Sequence, residues 1–423
     1  MSTVATTPTA ETVTALPGRN RAIGGYTLIA LFALVLILTV SPGNARIALT
    51  AGPEAIKIPV MEIPSMLAVG LPAGLALALS VVAIVGLARS RRQPGWLVAL
   101  AGGLVLLAFL CYLVAGNPSV LPLTALLAST LFLATPLIFG ALGGVICERV
   151  GIVNIAIEGQ LLAGAFLAAV VASLASAPYL GLVGAVIAGV LVSVLLAWFS
   201  ITYRVDQVIV GVVLNVLVLG LTTFFYKSIL TDVDGWNNRA PLPVLPIPLL
   251  SDIPILGPVL FRQNLLVYLL YAIAIGLQVY LFRSRWGLRL RAVGEHPKAA
   301  DTVGINVNRT RWRNTLLGGA VAGLGGAFFT IGQGLAFGIE ITAGAGFIAL
   351  AALILGRWTP KGAVTAALFF GFAHALAQSL RSFGVEMDSN LPLMIPYIVT
   401  LFAVAGFAGR VRPPAAEGVP YVK

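Results

Sequence analysis

Three stretches gather polar and ionisable side chains densely within an otherwise apolar chain: 148–160 (ERVGIVNIAIEGQ), 203–215 (YRVDQVIVGVVLN) and 291–306 (RAVGEHPKAADTVGIN). In the first, Asn154 and Glu158 are spaced i, i+4, so a helix puts them on one face; Gln160 follows two residues later. In the second, Gln207 and Asn215 stand eight apart, again close to one helical face. Neither stretch sets a nucleophile beside a base. Amides and carboxylates so placed can bond backbone, a neighbouring helix or a passing solute. Two readings of the first stretch stand together. Asn154 caps a helix whose first turn holds Glu158, where the helix dipole favours an anion. Alternatively the stretch is a broken helix lining a pathway, because ionisable groups at membrane depth face an interior or a water-filled cavity. Gln207 and Asn215 read either as glue between helices or as pathway lining.

The third stretch is punctuated. Pro297 suits a first helical position and Gly304 the left-handed residue just past a helix end. The segment between them makes less than two turns, too short to be stable alone in water. It needs another surface. Ala299 and Ala300 would let a partner approach closely, while Glu295, Lys298 and Asp301 could pair with its charges.

The elements that must position these residues follow from composition. Hydrophobic residues make up 59% of the 423 and charged ones 10%, with a mean hydropathy of +1.00; a soluble chain carries about 25% charged residues. The expected fold is an all-α polytopic membrane protein of about twelve (10–12) spans, since one span needs ~20 mostly apolar residues. Apolar runs fall near 23–40, 66–88, 96–114, 121–147, 155–175, 179–199, 207–226, 264–282, 314–333, 341–356, 362–378 and 391–409. The run at 341–356 is short, and a re-entrant segment is its alternative. Gly140/Gly144 and Gly319/Gly323 form G-x-x-x-G pairs that permit close helix crossings. Residues 1–20 read as a disordered N-terminus, and the first run as an uncleaved anchor.

If the N-terminus is cytoplasmic, the predicted inner segments hold 20 of the 26 Lys and Arg, as the positive-inside rule requires of an even span count with both termini inside. The inner loop 283–313 alone carries seven Arg and Lys298 against Glu295 and Asp301. This topology accounts for the net charge of +11, and no nucleic-acid partner is called for. The outer loop 227–263 is rich in proline, which forbids a helix through most of it.

Enzymatic signatures are missing. No Gly-Lys pair occurs, so there is no P-loop. Neither H-E-x-x-H nor G-x-S-x-G is present. His296 and His374 stand apart, and Cys111 and Cys147 lie in apolar runs. No catalytic residue, metal, cofactor or disulfide framework is expected. A conduit remains.

"ERVGIVNIAIEGQLLAGAF" followed much later by "RLRAVGEHPKAADTVGINV" resembles the permease subunits of ATP-binding-cassette importers serving branched-chain amino acids, simple sugars and nucleosides. The forms "GEHPKAADTVGI" and "NIAIEGQ" are most similar to the nucleoside branch. The resemblance covers about 121–410, leaving 21–120 as additional N-terminal helices and 411–423 as a tail. It implies inward transport of a small polar solute, a purine nucleoside above all, with branched-chain amino acids or a sugar as alternatives; an ion-coupled secondary transporter is the competing class. It also implies that Gly294, Glu295, His296, Pro297, Lys298, Ala299, Ala300, Asp301 and Gly304 form a coupling helix docking on a separate cytoplasmic ATPase. The implied partners are that ATPase, a second permease subunit, preferably a paralogue, and an external solute-binding lipoprotein. Asn154, Glu158, Gln160, Gln207 and Asn215 are then the candidate solute pathway.

Overall fold

Apolar runs with few charges have one stable form in lipid, the helix, because it satisfies its own backbone. A computed structural model bears this out across the residues it describes, 19–50, 57–89, 93–383, 394 and 412–422. Among these residues, nine helices are long and apolar enough to cross a membrane, and the strands are only three to five residues long.

The helices fall into two units. The first holds α1 (Arg19–Thr39), α2 (Ser65–Ala88) and α3 (Trp96–Leu113), with β1 (Asn44–Ala48), β2 (Met61–Pro64) and β3 (Val120–Pro122). Strand β1 lies between an antiparallel β2 and a parallel β3, and Arg46 pairs with Glu62 at 3.0 Å. Leu28, Leu38, Leu71 and Val82 are exposed, a distribution suited to lipid rather than water.

The second unit begins with α4 (Leu123–Arg149), α5 (Ile157–Leu174) and α6 (Pro178–Ala197), the last continued by a π-helical turn to Thr202. Next come α7 (Gln207–Phe225) and, beyond a hairpin of β4 (Val244–Pro246) and β5 (Arg262–Asn264), α8 (Leu265–Arg283). Then follow α9 (Arg285–Glu295), α10 (Pro297–Thr302), α11 (Val307–Gly326), α12 (Ala345–Leu355) and α13 (Pro360–Ser379). Helix α7 shows the membrane pattern plainly. Gln207, Leu214 and Thr222 are buried while Ile209, Val213 and Val216 are exposed.

Helices α5, α6 and α11 cross closely on glycine. A Cβ on Gly164 or Gly189 would strike the carbonyl of Gly323 or Gly319, and one on Gly323 the Ala185 carbonyl. The other pair, Gly140 and Gly144, faces Ile157 of α5 and Ala349 and Leu353 of α12. Both G-x-x-x-G pairs are therefore packing surfaces.

Three segments depart from expectation. Helix α11 starts at Val307, seven residues before the anticipated 314, because Asn306 caps it by accepting from the Arg309 N–H at 2.9 Å. Helix α12 has 11 residues, about 16 Å at 1.5 Å per residue, roughly half a bilayer core. The outer loop adds the β4–β5 hairpin to the expected turns. The run at 391–409 and the N-terminal segment 1–18 lie outside the described residues.

Candidate functional site

The chain between α4 and α5 is a break, residues 150–156, that runs through the interior with Val150, Ile152, Asn154 and Ala156 all fully buried. Buried backbone must find hydrogen-bond partners, and the polar residues picked out above supply them. Gln207 accepts from the Val153 N–H at 2.7 Å. Asn215 accepts from the Gly159 N–H at 2.8 Å and donates to the Ile155 carbonyl at 2.9 Å. Asn154 does not cap α5. Ala156 holds the N-cap position, and Asn154 points inward, donating to Gln160 Oε1 at 3.0 Å and Cys147 Sγ at 3.6 Å. Gln160 in turn donates to Ser193 of α6 at 2.9 Å.

Glu158 lies in the first turn of α5, as expected, but its carboxylate reaches across to another helix. It accepts from Thr342 Oγ1 at 2.5 Å, the Gly344 N–H at 3.0 Å and the Gly346 N–H at 2.6 Å. It therefore caps the half-length helix α12, satisfying donors that no helix can satisfy for itself. Four of the five residues thus form two groups: Asn154 with Gln160, and Asn215 and Gln207 on the break. Glu158 stands apart from both, on α12.

In the loop 283–313, Pro297 takes the first position of α10 and Gly304 adopts φ +82° just beyond it. The sequence pattern gave no notice of α9, an amphipathic helix capped by Ser284, which accepts from the Gly287 N–H at 3.0 Å. Four of the residues assigned to docking are engaged within the chain itself. Ala300 is only 3% exposed and packs into the core of this chain. Gly294 is buried, and a Cβ there would collide with the Arg149 carbonyl. Glu295 accepts from the Ala415 N–H at 3.2 Å, and Asp301 is hydrogen-bonded by Tyr421; both carboxylates are engaged by the chain's own tail. His296, Lys298 and Ala299 remain exposed.

That tail, 412–422, is a strap. The Ala416 N–H donates to the Gly294 carbonyl at 2.9 Å and the Gly418 N–H to the Gly151 carbonyl at 3.3 Å. The buried Arg311 donates to the carbonyls of Val419 at 2.9 Å and Ala416 at 3.4 Å. Gly151 sits at φ +91°, and a Cβ there would come within 2.9 Å of Arg311 Nη2 and 3.0 Å of the Ala416 carbonyl oxygen, so a side chain would be both strained and crowded. Trp358 Nε1 donates to Glu148 at 2.5 Å, and Arg149 Nε donates to the Trp358 carbonyl at 2.6 Å. Burial raises the Glu417 carboxyl to about 7, opposed by its hydrogen bond to Glu148 and by the nearby Arg149. The end of α4, the loop 283–313 and the tail are one bonded unit.

Sequence reasoning missed a cavity of about 400 Å³ enclosed by α4, α12, α13 and the end of α11, within the ~300–1,000 Å³ range of small-molecule sites. Phe328, Phe329 and Phe370 give it aromatic walls, and Gln333, Thr342, His374 and Gln378 give it polar atoms. Thr342 ties this wall to Glu158. One signal was available: His374 and Gln378 are i, i+4 in an otherwise apolar run. Phe328 and Phe329 carried none, since an aromatic pair in a span reads as core. Among the described residues, no group of three or more His, Cys, Asp and Glu is placed to hold a metal.

Comparison with known proteins accords with this arrangement. The family model described as branched-chain amino acid transport system, permease component, matches residues 126–404. The guanosine ABC transporter permease protein NupQ of Bacillus subtilis (strain 168) is 43% identical over 71% of this chain and 97% of its own length. The nucleoside ABC transporter permease protein NupC of Lactococcus lactis subsp. cremoris (strain MG1363) is 39% identical over 71% of this chain and 98% of its own. A second guanosine permease protein of Bacillus subtilis, NupP, is 28% identical over 66% of this chain and 83% of its own. No solved structure matches. A polytopic helical chain matched over residues 126–404 by this family model belongs to the family of branched-chain amino acid transport system permease components, and it is a multi-pass membrane transport subunit.

Proposed function

We propose that this chain is the permease subunit of an ATP-driven importer of nucleosides, purine nucleosides above all. The observation that carries the reading is the 43% identity to a guanosine permease along 97% of that protein's length. The cavity suits the cargo. A nucleobase stacks on aromatic faces, at about 1–3 kcal/mol per base, and the half-buried Phe329 offers such a face; Gln333, His374 and Gln378 offer donors and acceptors for its edge and for ribose hydroxyls.

ATP hydrolysis belongs to a cytoplasmic partner, with α10 as the coupling helix and His296, Lys298 and Ala299 as its outward face. Motion of α10 reaches the end of α4 through the tail, since Glu295 and Gly294 hold Ala415 and Ala416, while Gly418 holds Gly151. A paralogue completes the permease pair, as supported by the likeness to two different guanosine permease proteins of one organism, and an external lipoprotein delivers the solute. Both termini are then cytoplasmic and the spans number ten to twelve, counting α11.

The test is uptake of radiolabelled guanosine, adenosine, leucine and glucose in cells carrying this chain with its ATPase, partner permease and lipoprotein and lacking other routes. Guanosine uptake abolished by a Walker lysine substitution in the ATPase, and competed by adenosine but not by leucine or glucose, is the expected result. Competition by glucose alone would replace the nucleoside reading with the sugar one.

A further inference from the structure

A second cavity, of about 630 Å³, opens where α8 ends, between α9 and the first turns of α11. Its lining brings together Arg289, Arg309 and Arg313 with no Asp or Glu. None of the three guanidinium groups has an ion-pair or hydrogen-bond partner among the described residues; Arg289 lies 6.0 Å over the Trp286 ring. Three unneutralised cations around one space make a site for an anion. The N-terminus of α11, reached at Asn306, adds the positive end of a 20-residue helix.

The rim identifies the kind of anion. Trp286 and Leu317, both in the lining, are 59% and 40% exposed, while Gly287, Leu290 and Val293 of α9 are buried. A basic helix showing Trp outward is suited to the boundary between headgroups and acyl chains. Tyr280, three residues before the end of α8, hydrogen-bonds Asn314 at 3.3 Å and sets the cavity at the mouth of a span. A free phosphate would have no use for the exposed Trp and Leu. We infer that this cavity binds the phosphate headgroup of an anionic phospholipid, with its acyl chains along Trp286 and Leu317. Because α10 lies between α9 and α11 in sequence, such a lipid would brace the coupling helix from the membrane side. Basic pockets between spanning helices on the cytoplasmic side are suited to anionic headgroups.

The experiment uses the intact detergent-solubilised assembly, titrated with short-chain phosphatidylglycerol and followed by native mass spectrometry. One basic residue near a headgroup contributes ~1 kcal/mol, about a fivefold change in affinity. Arg289→Gln, Arg309→Gln and Arg313→Gln should each weaken phosphatidylglycerol binding about fivefold, and the triple variant about a hundredfold. All three side chains are exposed, so the core is untouched. Arg285→Gln, outside the lining, should change nothing. Phosphatidylcholine should bind far more weakly, and millimolar inorganic phosphate should fail to displace phosphatidylglycerol. Three results would overturn the inference: wild-type lipid binding by the triple variant, displacement by free phosphate (a phosphate site only), or loss of the ATPase from the triple variant with lipid binding intact (a protein contact).

Discussion

Removing the Glu158 carboxylate should unfasten α12. Its oxygens take the Gly344 and Gly346 N–H groups and the Thr342 hydroxyl. A buried donor left without a partner costs about 1–3 kcal/mol, and the anion at the helix start contributes about 0.5–2 kcal/mol. With partial relaxation, Glu158→Ala should weaken the attachment of α12 by about 3 kcal/mol, roughly a hundredfold shift toward the open form. Glu158→Gln keeps one acceptor oxygen but turns an NH2 toward backbone donors, so about half that loss is expected. A cysteine at Leu353, fully buried on α12, reports the opening in a background with Cys111 and Cys147 replaced. Its modification by a membrane-permeant maleimide tracks the open population when reclosing is fast. Labelling should rise about a hundredfold for Glu158→Ala and about tenfold for Glu158→Gln, with uptake falling alongside. Unchanged labelling in both variants would refute the capping argument. Loss of uptake with labelling and abundance intact would show that the carboxylate acts on the solute instead.

On the docking face, Ala299→Trp should strip the ATPase from the purified permease, whereas Ala300→Trp should lower abundance, because Ala300 is packed inside this chain; co-purification and immunoblotting separate the two. Replacing His374 or Gln333 with Ala should raise the KM for guanosine uptake about tenfold while leaving abundance unchanged, since a lost hydrogen bond to a bound solute is about 1.5 kcal/mol. The pH dependence of the tail follows from Glu417, raised to about 7 from 4.5 by burial. Between those values the folded state holds a proton that the released tail does not, so attachment weakens as pH rises from about 4.5 through 7. Proteolytic nicking near 412–422 should therefore increase between pH 5.5 and 8, and Glu417→Gln should flatten that dependence. For topology, cysteines at Asn308 and Asp252 should label from opposite sides of the membrane; labelling of both from outside would overturn the charge-based orientation.

Hydropathy and charge spacing already determined much of this protein. Apolar runs of spanning length have no stable alternative to a helix in lipid, so α1 to α8 and α13 were legible to within a few residues. Pro297 and Gly304 marked α10 because both act through local backbone geometry, which needs no knowledge of neighbours. The roles of the polar residues were decided elsewhere. Gln207 and Asn215 brace a break some sixty residues upstream, Glu158 caps a helix 188 residues on, and Glu295 holds a tail 120 residues away. A hydrogen-bonding side chain has a role only once its partner is in reach, and in a helical membrane protein the order in which spans pack sets that reach. The same holds for Phe328, Phe329 and His374. Whether an aromatic fills a core or walls a cavity depends on what the helices opposite leave empty, and no local pattern records that space.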